Sequence, residues 1–248
     1  MKLGIIGYGN MGHIIAEKAK AKGHEIITVD PHAKDADFKE LSEECLNSFD
    51  SAIEFSVPAS AISNITQLVK AKKNVIVGTT GWYESIPDIK KLVEEEGKAF
   101  LYASNFALGV NLFFRVLENA AQLFNAFDSY DVTGLDIHHS HKEDSPSGTA
   151  RTTTDILLRN LDRKDTALFE CPNRKVKENE LQFVSLRSGA APGTHTVYFD
   201  SPADVVSVSV EARNRTGYAE GSILAAEWLE GKTGFFSIDD YLNHITGK

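Results

Sequence analysis

Residues 2–30, KLGIIGYGNMGHIIAEKAKAKGHEIITVD, decide how the first hundred residues are read. Lys2 to Ile6 is a short apolar run that ends in glycine, and Met11 to Ala21 follows with Met11, Ile14, Ile15 and Ala19 at helical spacing. Gly23 ends that helix, and a second run, Glu25 to Val29, stops at Asp30-Pro31. The segment Gly7-Tyr8-Gly9-Asn10-Met11-Gly12 therefore lies between a strand and a helix, and Asp30 closes the next strand 18 residues after Gly12. Gly7 permits the tight turn, Gly9 lets the backbone approach a pyrophosphate, and Gly12 lets helix and strand pack closely. The helix start offers N–H groups to phosphates, and Asp30 can accept hydrogen bonds from an adenosine ribose. A turn with a capping aspartate would leave three correctly spaced glycines unexplained, so a nicotinamide or flavin dinucleotide is expected here.

The pattern continues outward. A third apolar run, Ala52 to Val57, stops at Pro58, and a fourth, Asn74 to Val77, stops at Gly78; Ala61, Ile62, Ile65, Leu68 and Val69 make an amphipathic helix between them. Strands separated by helices of this size imply βαβ units and a parallel, Rossmann-like sheet, with ligands beyond the carboxyl ends of its strands. After Leu101 the character changes. Leu108 to Phe124 is a long apolar helix candidate, Tyr130 to His138 a strand and Ala150 to Leu161 a helix, while alternation in His195, Val197, Phe199 and Val205 to Val210 suits antiparallel strands. Tyr218 to Leu229 is again amphipathic helix. The expectation is an α/β protein: a dinucleotide-binding domain over residues 1–106, completed by 217–248, and an α+β domain with a mixed sheet over 107–216.

With 248 residues, 26 Lys+Arg and 35 Asp+Glu, the formal net charge is −9. That balance disfavours nonspecific binding to nucleic acid or anionic lipid, which needs a basic patch. Two distant cysteines, Cys45 and Cys171, suggest neither a disulfide framework nor a zinc ribbon, and point to a reducing cytoplasm. The opening apolar run is too brief for a signal segment, and no later stretch reads as a membrane span. A second loop, Gly78-Thr79-Thr80-Gly81, ends the fourth strand at the same sheet edge, where backbone N–H groups and hydroxyls could meet a nicotinamide amide or a carboxylate. A plain strand-to-helix turn is the alternative there.

The densest chemistry lies in residues 137–150, IHHSHKEDSPSGTA. Strand alternation would put His138 and Ser140 on one face and His139 and His141 on the other. The chain then turns through Asp144 to Pro146 and starts a helix whose first N–H groups come from Ser147, Gly148 and Thr149. Cationic side chains beside a helix start look like a locally built site for an anionic substrate in an acidic protein. Three clustered histidines could also bind zinc, yet neither an acidic residue nor a cysteine completes a familiar ligand spacing, so no metal is expected.

These residues resemble the dihydrodipicolinate (4-hydroxy-tetrahydrodipicolinate) reductase family of lysine and diaminopimelate biosynthesis. The resemblance runs through most of the chain: GYGNMG, Glu54 to Pro58, GTTG, Ala103-Ser104-Asn105-Phe106 with Gly109-Val110-Asn111, HHSHKEDSPSGTA, Ser185-Leu186-Arg187 with Gly193-Thr194-His195, and Gly234 to Leu242. It implies reduction of the dihydrodipicolinate ring with NADH or NADPH, with His138 as acid/base residue and Lys142 as proton donor. It further implies that His139, Ser147, Gly148 and Thr149 hold the substrate's two carboxylates with Thr80 close by. The cofactor would lie against Gly7, Tyr8, Gly9, Asn10, Met11, Gly12, Asp30, Gly78, Thr79, Thr80, Ala103, Ser104, Asn105 and Phe106. The family's enzymes are usually homotetramers joined through the second domain's sheet. The chain departs from the family pattern at Asn10 and Pro31, where members often carry arginines suited to a 2′-phosphate, and at Val210, where many have a histidine. A dinucleotide-sensing regulator without turnover, and an aspartate or diaminopimelate dehydrogenase, are the rivals; the histidine-lysine cluster speaks against the first and the SPSGTA helix start against the second.

Overall fold

The computed structural model describes residues 1–247, which form two compact units: Met1–Ala107 with the chain from Arg215 onward, and Leu108–Asn214. In the first unit the chain runs β1 (Lys2–Ile6), α1 (Asn10–Ala21), β2 (Glu25–Val29), α2 (Glu43–Leu46), β3 (Ser51–Glu54), α3 (Pro58–Lys70), β4 (Asn74–Val77), α4 (Ile86–Glu96) and β5 (Ala99–Tyr102). The second unit contains α5 (Leu108–Asn125), β6 (Asp131–His138), α6 (Gly148–Asn160), β7 (Thr166–Leu168), β8 (Glu180–Arg187), β9 (Thr194–Asp200) and β10 (Val205–Glu211). The chain then returns to the first unit with α7 (Thr216–Leu229), β11 (Gly234–Ser237) and α8 (Ile238–Thr246). Among the described residues no helix is long and apolar enough to cross a membrane.

Six strands of the first unit pair in parallel in the order β11-β5-β4-β3-β1-β2. Near-continuous apolar strands such as Leu3, Ile5 and Ile6, or Val75, Ile76 and Val77, fit a sheet covered by helices on both faces. The third strand ends at Glu54 and not at Val57, because its partners run out: Glu54 pairs with Ile6 and Val77, and the chain turns away at Gly7 and Gly78. Helix α7 is lined with small buried residues, Ala219, Gly221, Ser222, Ala225 and Ala226. A Cβ at Gly221 would lie 1.8 Å from the Phe106 carbonyl oxygen, so only glycine allows that approach. Glu227 of α7 takes Lys22 at 3.0 Å and His24 at 2.9 Å, fastening the helix to the α1–β2 turn.

The second unit is a five-stranded mixed sheet, β10-β9-β6-β8-β7. Strand β9 is antiparallel to both its neighbours, β6 and β10, as the alternation suggests, whereas β8 runs parallel to β6 and to β7. One face is packed by α5 and α6: Phe113, Leu117 and Ala121, with Ala150 and Leu157, meet Val132, Phe183, Val197 and Phe199. Phe124 stacks on Phe199 with ring centroids 4.3 Å apart. Residues of odd number on β6 and even number on β8 face the other way, where Leu135, Ile137 and Val184 are half-buried and Leu186 is exposed.

Candidate active site

In the first unit the glycines of the β1–α1 turn do three different things. Gly7 has φ +93°, and a Cβ there would lie 2.3 Å from the Phe55 carbonyl oxygen. A Cβ at Gly12 would lie 2.2 Å from the Gly7 carbonyl oxygen, whereas Gly9 faces open space. Helix α1 follows Gly9 without a side-chain cap or an acidic residue in its first turn, which leaves its positive end for an anionic ligand. The carboxylate of Asp30 accepts the Tyr8 amide at 2.9 Å on one oxygen and the His32 and Ala33 amides at 2.7 and 2.9 Å on the other. Partial burial works against the charge, but the three amides and His32 hold Asp30 below the usual carboxylate range. A cleft of about 590 Å³ lies between Gly7, Asp30, His32, Lys39, Ser56 and Asn64. An open Gly9, an uncapped helix start and an acid at the cleft wall fit a dinucleotide.

Thr79 is buried, and its carbonyl is held by the indole of buried Trp82 at 2.8 Å, which fixes the Gly78–Gly81 loop that also carries Thr80. Ala103 and Phe106 are buried beyond β5, and Asn105 caps the Ala107 amide at 2.8 Å, so in this stretch Ser104 is the exposed residue. Glu54, entirely buried, receives the Ser56 hydroxyl and Asn64; burial pushes its carboxyl up despite these bonds.

In the second unit, strand register brings together residues far apart in sequence. Asp136 on β6 pairs with Ser185 on β8 and His195 on β9, and His195 in turn with Val210 on β10; two residues along β6, His138 pairs with Arg187. Asp136 is fully buried. Its Oδ1 lies 2.5 Å from His138 Nδ1, and its Oδ2 accepts the Ser147 amide at 3.1 Å and the Ser185 hydroxyl at 3.0 Å, with Arg187 at 3.5 Å. Desolvation opposes the charge on Asp136, but these donors keep its carboxyl below the ordinary range. Desolvation lowers His138 too, against the attraction of Asp136, and Lys142 and Arg187 lower it further. His195, buried and 5.2 Å from the His138 ring, is pushed down to about 4 by desolvation. Gly193 matters for a steric reason: a Cβ there would lie 2.9 Å from His138 Nε2.

The signature loop is more folded than alternation implies. Strand β6 stops at His138, and the Lys142 amide bonds the His139 carbonyl at 3.1 Å, so Ser140 and His141 lie on a turn and the two-face assignment ends there. Lys142 donates to Asp144 at 2.6 Å; this bond holds the Asp144 carboxyl below its ordinary range, with the Gly148 amide as a lesser contributor. Helix α6 begins at Gly148. Ser147 is its buried N-cap, its hydroxyl accepting the Ala150 amide at 3.1 Å while its own N–H goes to Asp136. Of the three amides expected to face a ligand, Ser147's is therefore spent on Asp136 and Gly148's is directed at Asp144, while a Cβ added at Gly148 would meet nothing within 4 Å.

Asp136, Ser185, Arg187 and His195 complete the cluster, and periodicity of the His138 stretch alone does not find them. Alternation from His138 back to Asp136 is the available signal, together with the Ser185-Leu186-Arg187 and Gly193-Thr194-His195 segments. Asp136, His138 and His195 gather donor atoms within 4.8 Å of one another, an acid-histidine set that sequence spacing does not reveal. Asp136 and His138 are hydrogen-bonded to each other within that set, whereas His195 Nδ1 stands 3.9 Å from the carboxylate. Of the basic side chains near Asp30, His32 lines the cleft with Lys39, which donates to the Ala33 carbonyl; Lys34 is not part of the cleft wall.

Residues 1–106 match the family described as dihydrodipicolinate reductase, N-terminus, and residues 109–242 match its C-terminus. The chain belongs to the dihydrodipicolinate reductase family. A 4-hydroxy-tetrahydrodipicolinate reductase of Christiangramia forsetii is 37% identical over 247 residues, 99% of each chain. The enzyme of the same name from Aquifex aeolicus is 34% identical over 203 residues, 81% of this chain and 76% of its own. Among solved structures, dipicolinate-bound dihydrodipicolinate reductase from Paenisporosarcina sp. TG-14 shares the fold with a TM-score of 0.80 at 18% identity, covering 97% of this chain and 98% of its own. As a dihydrodipicolinate reductase family member the chain is an NAD(P)H-dependent oxidoreductase, its first unit carrying the dinucleotide-binding part.

Proposed function

We propose that this protein reduces 4-hydroxy-tetrahydrodipicolinate, after loss of water to dihydrodipicolinate, to tetrahydrodipicolinate in lysine and diaminopimelate biosynthesis. The observation that carries the reading is that the cations Lys142 and Arg187 gather with His138 beside the start of α6, in a chain of net charge −9. The relatives' names support the reaction, and the dipicolinate-bound neighbour supports a flat ring with two carboxylates as the ligand.

When bound, the dihydronicotinamide supplies a hydride, and the ring must gain a proton as well. Lys142 is the proton donor and His138 the acid/base residue; the charges of Lys142 and Arg187 also stabilise negative charge that develops on the substrate. His139 and the Gly148 and Thr149 amides hold the carboxylates, and Ser147 acts by capping α6 and fixing those amides. Gly7 to Gly12, Asp30, Gly78 to Thr80 and Ala103 to Phe106 hold the cofactor, NADH at least as readily as NADPH, because ionised Asp30 stands where a 2′-phosphate would bring like charge. The uncovered sheet face of Leu135, Ile137, Val184 and Leu186 supports assembly into a homotetramer. Purified protein given enzymatically generated dihydrodipicolinate should consume NADH at a rate set by the added substrate, and should do nothing with aspartate or diaminopimelate. Oxidation or reduction of cofactor with those amino acids alone would overturn the reading.

A further inference from the structure

Asp136 is the most enclosed charged group of the second unit, and every neighbour on its Oδ2 side is a donor. The Ser147 amide can only donate, Arg187 can only donate, and the Ser185 hydroxyl is turned toward it. An ionised carboxylate accepts only, so the group facing Oδ1 must bring a hydrogen as well. That group is His138 Nδ1 at 2.5 Å; His195 Nδ1, at 3.9 Å, is too far to hydrogen-bond. His138 Nε2 lies on the opposite edge of the ring, beside Gly193, whose lack of a side chain leaves it uncovered.

We propose that Asp136 is a positioning residue that holds the ring proton of His138 on Nδ1 and so leaves Nε2 as the nitrogen that exchanges protons with the substrate. This rests on the reductase reading for the role of His138, but the tautomer itself can be read without any turnover. The same carboxylate fastens the Ser147 amide, so one buried group sets both the histidine and the start of the helix assigned to the substrate carboxylates. The charged and titratable groups around His138 are Asp136 on its own strand, Arg187 on β8, His195 on β9 and Lys142 on the following loop.

Asp136→Asn separates this from a packing role, because it changes the bonding and hardly changes the shape. The Ser147 N–H can only donate, so it selects the oxygen of the introduced amide, whose NH₂ then faces His138. A donor there drives the ring proton to Nε2. Nitrogen-15 NMR of labelled histidine in the intact protein should therefore find His138 protonated on Nδ1 in the native chain and on Nε2 in Asp136→Asn. Turnover should fall about 10²- to 10⁴-fold while KM for NADH stays within about threefold, since the cofactor residues are elsewhere. An Nε2-protonated His138 in the native protein overturns the proposal, and needs no variant. So does an Asp136→Asn protein that keeps native turnover. Absence of turnover in the native protein would instead refute the reductase reading, and the two tautomers would still decide whether Asp136 positions His138.

Discussion

The Tyr8 amide donates to Asp30 Oδ2 at 2.9 Å, so the glycine turn after β1 and the acid at the end of β2 are one unit. Asp30 is thereby kept ionised and kept in place, with His32 and Lys39 as the basic side chains on the cleft wall. We expect kcat/KM for NADH to equal or exceed that for NADPH. Lys39→Ala should lower the NADPH value by about tenfold, roughly 1.4 kcal/mol, and leave NADH nearly unchanged. A native preference for NADPH above about tenfold would mean that Asp30 does not govern this end of the cofactor.

Lys142 is bonded to Asp144 on the loop between β6 and α6, away in sequence from the glycine turn after β1. Lys142→Ala should reduce turnover by about 10²- to 10⁴-fold, the usual cost of a lost proton donor, with cofactor affinity measured by fluorescence titration little altered. Near-native turnover would remove this lysine from the mechanism.

Gly148 has no heavy atom within 4 Å of where a Cβ would stand. Gly148→Val should accordingly fold normally, and the branched side chain should obstruct approach to the amides that open α6. Calorimetric titration with a planar pyridine dicarboxylate is the check: affinity should fall by at least about tenfold, and unchanged affinity would put the carboxylate cradle elsewhere.

His195 links the site to stability. Burial drives its pKa down to about 4, against roughly 6.5 in an unfolded chain. Between those values the unfolded state binds the extra proton, so the stability gained by keeping His195 neutral is full above about pH 6.5 and is lost as pH falls toward 4. The loss amounts to about 3 kcal/mol at most. Urea unfolding of the native protein and of His195→Gln, compared at neutral and acid pH, should show the variant losing less stability on acidification; equal losses would mean that His195 is already charged when folded.

What could be read in the chain follows from how local each signal is. The three glycines, Asp30 and four of the parallel strands lie within short periodic stretches, and their spacing alone fixes their neighbours. Strand β11 and the edge it forms beside β5 are different: Gly234–Ser237 and Ala99–Tyr102 pair across more than a hundred residues, a partnership no local spacing announces. The Asp136 cluster is legible only through register, because Ser185 and His195 reach it from two other strands. Alternation also misplaces Ser140 and His141, since a strand period persists only while the ladder does, and the ladder ends at His138. At Val210 the structure gives a consequence to the departure from the family pattern: the aliphatic side chain pairs across from His195 and packs on the second unit's core.

The central claim is that hydride passes to the ring of dihydrodipicolinate on this protein. NADH carrying deuterium on its transferable position, mixed with protein and freshly generated substrate, tests it by mass spectrometry of the product. One deuterium should appear in each tetrahydrodipicolinate formed, in step with NADH consumed. Tetrahydrodipicolinate without deuterium, or NADH consumption that leaves the ring unreduced, would contradict the account.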